Sequence, residues 1–360
     1  MNIQLNRLIT QRIAAMFSGL LMLVGNMACD FIHEDLEPCP TGLYIDFKYD
    51  YNLQRADMFH DHVGSVTAYL FDEEGRFLLS KTESGEALRE HSYRMRLDLE
   101  PGRYQYVAVA GQCPLKDQAA LPGARFRVNE PAAGDSLSAL GVALDHVALP
   151  ERDTVPHLCQ PLDTLWMGHS RHLVEVKADR ETVDTVSLVR DTKQIQVVLR
   201  DLDRPERMDV ADYDFHIYDR NAAICWDNGV DESVALRYTP YALWNTSDKP
   251  TDGTTAVGRM AHADFMTSRI IYHKRAEEDA ILSITHRESG KEVVRINLAD
   301  MLSRLRSSAN IYRYTPQEFL DRGYDYRLVF FLKGGGWQYA EIEISVLSWA
   351  KRIQYEDFIF

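Results

Sequence analysis

From Gly42 onward, apolar residues recur at every second position rather than every third or fourth, and that alternation commits the chain to pleated strands. Tyr44 to Tyr49 (YIDFKY) and Ser65 to Phe71 (SVTAYLF) read as strands with one buried face, the second ending at a turn over Asp72 to Gly75. Tyr93 to Leu99 (YRMRLDL) alternates, Glu100-Pro101-Gly102 turns the chain, and Tyr104 to Ala110 (YQYVAVA) returns, which predicts a hairpin. Prolines at 114, 122, 131, 150, 156 and 161 interrupt residues 111–182, where loops, short helical turns and one or two strands are expected.

The second half repeats this grammar. Thr185 to Arg190 reads as a closing strand and Gln194 to Arg200 (QIQVVLR) as the first strand of a new unit, which places a boundary near Asp191. Tyr213 to Tyr218, Ala280 to His286 and Glu292 to Leu298 follow as strands; Tyr326 to Leu332, the turn Lys333 to Gly336 and Trp337 to Leu347 predict a terminal hairpin. Short helices are expected only at Asp300 to Arg306 and at Thr315 to Asp321, the latter capped by Thr315. The expected fold class is all-β, two tandem β-sandwich domains over residues 42–190 and 191–360 with a few short helices. Length agrees, because the 332 residues left after a 28-residue leader (360 minus 28) exceed what one hydrophobic core usually spans.

Residues 1–28 read as that leader, an address and not part of the fold. Arg7 and Arg12 precede an apolar run from Ile13 to Val24 that is too short to span a bilayer, and small Ala28 precedes Cys29. A lipoprotein signal peptidase cutting there leaves the Cys29 thiol to carry diacylglycerol; the alternative is an ordinary secretory signal beside an unmodified cysteine, since Asn26 stands where a lipobox usually has leucine. On both readings the chain is exported. Residues 29–41 then form an acidic tether, in which Asp30, Glu34, Asp35 and Glu37 read either as a surface-export signal or as a solvated spacer.

With 40 basic and 54 acidic residues the chain carries −14, and −16 once Arg7 and Arg12 are gone, which argues against binding nucleic acid or anionic lipid by charge. Cys39, Cys113, Cys159 and Cys225 remain as an even set in an exported chain. They read as one or two disulfides or as buried thiols, and their spacing matches no zinc site.

The catalytic candidates fail on chemistry. Gly168-His169-Ser170 lacks the second glycine of a nucleophile elbow, Arg171-His172 taking its place. His169 and His172 would share a metal only on a helical turn, whereas Pro161 and Trp166 point to a loop. Lys333-Gly334-Gly335-Gly336 sits between two strands with no helix after it, so it reads as a hairpin turn rather than a phosphate loop. No enzymatic activity, metal or cofactor is expected. Trp166, Trp226, Trp244, Trp337 and Trp349 read as core, with a sugar platform as the alternative.

Cys29 to Pro40 (CDFIHEDLEPCP), Val66 to Gly75 (VTAYLFDEEG), Leu97 to Gly111 (LDLEPGRYQYVAVAG), Trp166-Met167-Gly168, Glu318 to Tyr326 (EFLDRGYDY) and Ser348 to Phe360 (SWAKRIQYEDFIF) resemble the fimbrial anchoring-subunit family of Bacteroidales (FimB-type) along nearly the whole mature chain. The resemblance implies two transthyretin-like sandwich domains, a lipid anchor in the outer membrane, and assembly with fimbrillin shaft subunits by strand complementation, in which backbone groups along a sheet edge pair with a partner's strand. Under it, the expected function is an anchoring subunit that tethers the polymer through Cys29 and limits its length. The alternatives are a surface glycan-binding lipoprotein and a tip or adhesive subunit. The C-terminal Arg352 to Phe360 alternates Ile353, Tyr355, Phe358 and Phe360 with other residues, and reads either as a donated strand or as the strand that closes its own domain.

Overall fold

The computed structural model of the protein describes residues 42–115, 117, 122–248, 258–306, 313–346 and 349–356, with residues 345–356 as backbone only. Its strands, numbered β1–β24 in chain order, fall into five sheets. In the first sandwich, β1 (Gly42–Lys48) runs between β11 (Glu181–Ser187), parallel to it, and β4 (Met95–Leu97). Against these lies a sheet in the order β12 (Val189–Arg190), β9 (Trp166–His169), β5 (Gly102–Gly111), β2 (Ser65–Asp72) and β3 (Phe77–Ser84), with β10 (Val174–Val176) also on β5. Leu43, Ile45 and Phe47 of β1 pack with Val66, Ala68 and Leu70 of β2 and Tyr106, Ala108 and Ala110 of β5 in one core. A short helix, α1 (Phe59–His62), closes one end by stacking Phe59 on Phe47 and Tyr93.

The second sandwich has a six-stranded sheet in the order β18 (Ala242–Ser247), β19 (Arg259–Thr267), β13 (Lys193–Asp201), β22 (Asp325–Lys333), β23 (Gly336–Val346) and β24 (Trp349–Glu356). Its partner is β21 (Glu292–Asn297), β20 (Ile281–His286), β14 (Tyr213–Asp219), β17 (Leu236–Tyr238) and β8 (Asp153–Val155). Ile195, Val197, Phe215, Ile217, Phe265, Leu282, Leu328 and Phe330 belong to the core between them. Two short helices flank it: α2 (Leu298–Ser303), capped by Asn297 Oδ1, which accepts from Asp300 N at 2.8 Å, and α3 (Pro316–Arg322), capped by Thr315 Oγ1, which accepts from Glu318 N at 3.1 Å.

The fold class is all-β with two tandem sandwiches, and three particulars differ from the sequence reading. Tyr93–Leu99 and Tyr104–Ala110 do not form a hairpin: β4 pairs with β1 and β5 with β2, so Glu100-Pro101-Gly102 carries the chain from one sheet across to the other. A turn signal reports the reversal and is silent on which strand will be the partner. Second, β2 and β5 bury both faces, because Tyr69, Phe71, Val107 and Val109 on the far side pack into the second core. Third, β6 (Phe126–Asn129), β7 (Gly141–Leu144) and β8, from residues expected in the first unit, join sheets with strands of the second, β6 through β7. β6, β7, β15 (Ala223–Cys225) and β16 (Val230–Asp231) make a four-stranded sheet, and β8 adds parallel to β17. This middle layer is what covers the outer face of β2 and β5.

One buried acid makes the second sandwich pH-sensitive. Burial pushes the Asp219 carboxyl up to about 7, although its Oδ1 accepts from Arg220 N at 2.7 Å and its Oδ2 from Asn221 Nδ2 at 2.8 Å. An acid whose folded pKa is raised holds its proton longer in the folded state, so its contribution is full below about pH 4 and is lost as pH rises through about 7. Asp219→Asn carries no charge and keeps an acceptor for the Arg220 N–H, while its amide N–H faces the Asn221 Nδ2 donor and loses that hydrogen bond. It is expected to lower stability at pH 5 and to flatten the fall between pH 5 and pH 8, read from urea unfolding at the two pH values; parallel curves for both proteins would refute it.

Candidate functional site

Among the described residues the six-stranded sheet ends on β24 at one side and on β18 at the other. At one end β24 pairs antiparallel with β23 through eight positions, from Tyr339 opposite Glu356 to Val346 opposite Trp349. Position 353 lies opposite Ile342 and position 355 opposite Ala340, both of which are buried in the second core. Ile353 and Tyr355 of the expected donor segment therefore stand, by register, in the strand that closes their own sheet; Phe358 and Phe360 lie outside the described residues. Gly334 and Gly335, both at positive φ (62° and 75°), make the turn between β22 and β23, which agrees with reading Lys333 to Gly336 as a hairpin connection. At the other edge β18 exposes Leu243 and Trp244, and the Trp244 indole stacks on His262 with ring centroids 5.0 Å apart.

Between the two sandwiches, at the boundary expected near Asp191, lies a buried ionic hub. Asp191, Thr192 and Lys193 have no exposed surface. Arg269 clamps Asp321 with Nε to Oδ1 and Nη2 to Oδ2, both at 2.8 Å, donates through Nη1 to the Asn228 carbonyl, and has Asp191 Oδ1 3.9 Å from its Nε. Lys193 Nζ donates to the carbonyls of Arg190 (3.2 Å), Asp321 (3.2 Å) and Gly323 (2.8 Å). Burial raises the Asp191 carboxyl and lowers the Lys193 ammonium toward each other. The first sandwich is tied in by Arg190, whose guanidinium lies 4.1 Å from the Tyr324 ring centre and 5.8 Å from that of Trp166, and by Arg322, 4.0 Å from the ring centre of Tyr51. Three polar residues between two strands look like a loop in sequence; that Arg269 and Asp321, fifty-two positions apart, neutralise them is a tertiary fact.

The remaining predicted residues are scattered. Cys29, Asp30, Glu34, Asp35, Glu37 and Cys39 lie outside the described residues. No disulfide joins Cys113, Cys159 and Cys225, which sit just past β5, in the loop before β9 and in β15; Cys113 Sγ donates to Asp163 Oδ2 at 3.8 Å. The His169 ring packs edge-on to Trp226 at 5.7 Å, Ser170 Oγ accepts from Tyr106 N at 3.1 Å, and His172 Nε2 is 3.9 Å from Asp184, so the three side chains serve separate contacts. Trp166 is fully buried, Trp226 and Trp337 are half-buried against the core, and Trp244 is exposed.

Tandem sandwiches joined through a buried ionic hub define the class: a two-unit β-sandwich protein. The sequence matches the model of the fimbrillin-A associated anchor proteins Mfa1 and Mfa2 over residues 36–355, and the chain belongs to that family, one of fimbrial structural proteins and not of enzymes. Among solved structures it is similar to a candidate adhesin from Bacteroides thetaiotaomicron, with 30% identity, 89% of this chain and 100% of that one covered, and a TM-score of 0.72. It is also similar to a candidate polysaccharide-binding protein from the same organism (29% identity, 88% and 99% covered, TM-score 0.67). The fold is shared with the fimbrial anchor protein Mfa2 of Porphyromonas gingivalis at 16% identity, 87% and 99% covered, TM-score 0.57. No curated protein matches the sequence. The family gives the protein an anchor-type role at the cell surface, in association with fimbrillin subunits.

Proposed function

We propose that this protein is the membrane-end subunit of a fimbria. Diacylglycerol on Cys29 holds it in the outer membrane, residues 29–41 form an acidic spacer whose Asp30, Glu34, Asp35 and Glu37 direct it to the surface, and fimbrillin subunits join it by strand complementation. A subunit fixed by lipid ends the fibre at that point and so limits its length. The observation that carries this reading is the match to the anchor family from residue 36, inside the acidic spacer, to residue 355 in β24. The physics agrees: two acyl chains hold a protein in a bilayer where one alone binds only marginally, and a sheet edge gives affinity through backbone hydrogen bonds without special side chains.

Cys29→Ala in the native bacterium is expected to move most of the fimbrial polymer, at least tenfold over the parent strain, from washed cells into the medium while the protein is still made and exported. Fibres that stay on the cells would mean another protein is the tether, and would favour the tip or adhesive reading.

A further inference from the structure

Residues 149–152 cross the outer face of the five-stranded sheet and leave a cavity of about 420 Å³ whose lining includes Leu149, Glu151, Arg152, Tyr218, Arg237 and Arg295. Three arginines at one cavity stand out in a chain of charge −14. Arg295 is compensated by Glu292 at 3.1 Å. The other two are held by neutral groups: the Arg152 guanidinium lies 4.8 Å from the Tyr218 ring centre, and Arg237 donates from Nε (3.2 Å) and Nη2 (3.0 Å) to Thr154 Oγ1. Among the described residues no carboxylate is within ion-pair distance of either. A guanidinium stacked on a ring keeps its in-plane N–H donors, and Arg237 keeps those on Nη1, so the pair offers fixed donors suited to an oxyanion.

Two observations narrow the ligand further. The edge of β8 beside the cavity is closed, since Val147 and Thr154 exchange both backbone hydrogen bonds at 2.9 Å, so an extended peptide cannot add there as a strand. The walls are partly apolar: the Tyr218 ring lines the cavity together with Leu149 and Pro150, and Leu149 is 43% exposed at the rim. A compact ring with one apolar face and one anionic substituent matches these walls. We propose that this cavity binds an acidic saccharide, its carboxylate or sulfate between Arg152 and Arg237, its ring against the Leu149 side, and its hydroxyls donating to the exposed Glu151 carboxylate.

The test is calorimetric titration of the full mature protein with tetragalacturonate, and with maltotetraose as the uncharged counterpart. Tetragalacturonate is expected to bind with an affinity that falls as salt rises, maltotetraose to give no signal, and Arg152→Gln combined with Arg237→Gln to weaken binding at least tenfold at an unchanged melting temperature. Should the double variant melt early, Arg152→Gln alone, at an exposed position, is expected to weaken binding at least threefold. No binding, equal binding of maltotetraose, or binding indifferent to both variants overturns the proposal. Acetate or sulfate binding as tightly overturns the saccharide part, and a hexaglutamate peptide binding more tightly assigns the cavity to an acidic protein segment instead.

Discussion

Replacing Arg269 by alanine is expected to cost about 3–5 kcal/mol of unfolding free energy, the range for removing one partner of a buried ion pair. The reason lies in what stays behind. Asp321 and Asp191 are 6% and 0% exposed at the side chain and would keep two carboxylates in the interior, with Arg269 no longer beside them. Lys193 does not replace it, because its ammonium is directed at three carbonyl oxygens and already lies among them. The double variant Arg269→Ala, Asp321→Ala is expected to cost less than the sum of the two single changes, a coupling that a double-mutant cycle in urea measures directly. Because α3 and the turn at Tyr51 and Asn52 meet through Arg322, both sandwiches are expected to unfold in one transition. A cost under about 1 kcal/mol would mean that water reaches the hub and screens it.

The hub also marks the limit of what the sequence discloses. Strands with their own alternation were legible: Gln194 to Arg200 became β13, and Tyr326 to Leu332 with Trp337 onward became the β22–β23 hairpin, because period-two burial is a local property. The Thr315 cap was legible for the same reason. Partner choice was not, since it depends on which sheet can bury a given face. Met95 and Leu97 fit the core under β1, and so β4 went there instead of back onto β5. β19 carries only a weak alternation because two of its inward residues, Ala261 and Ala263, are small beside Met260, His262 and Asp264. The arginine cavity was hidden for a further reason: Arg152, Tyr218, Arg237 and Arg295 come from four separate segments and converge only when β8 joins a sheet of the second sandwich.

Deleting residues 347–360 is expected to leave a chain that does not hold its second sandwich at 37 °C. β24 supplies the whole outer ladder of β23, and each ladder hydrogen bond contributes about 1 kcal/mol net. Its removal also opens the core beside Ala340, Ile342 and Ile344, all at most 2% exposed in the intact protein. The edge so created, long and apolar on one face, is prone to pair with other chains. A synthetic peptide of residues 347–360 added to the truncated protein is expected to restore the melting transition, and the same peptide with Ile353→Asp to fail, because position 353 lies opposite buried Ile342. The same experiment separates the two uses of this segment. Truncated protein that melts like the parent but no longer carries fimbriae would make 352–360 a strand donated to a neighbour. Truncated protein that unfolds and is rescued in trans makes β24 a resident strand of the second sandwich.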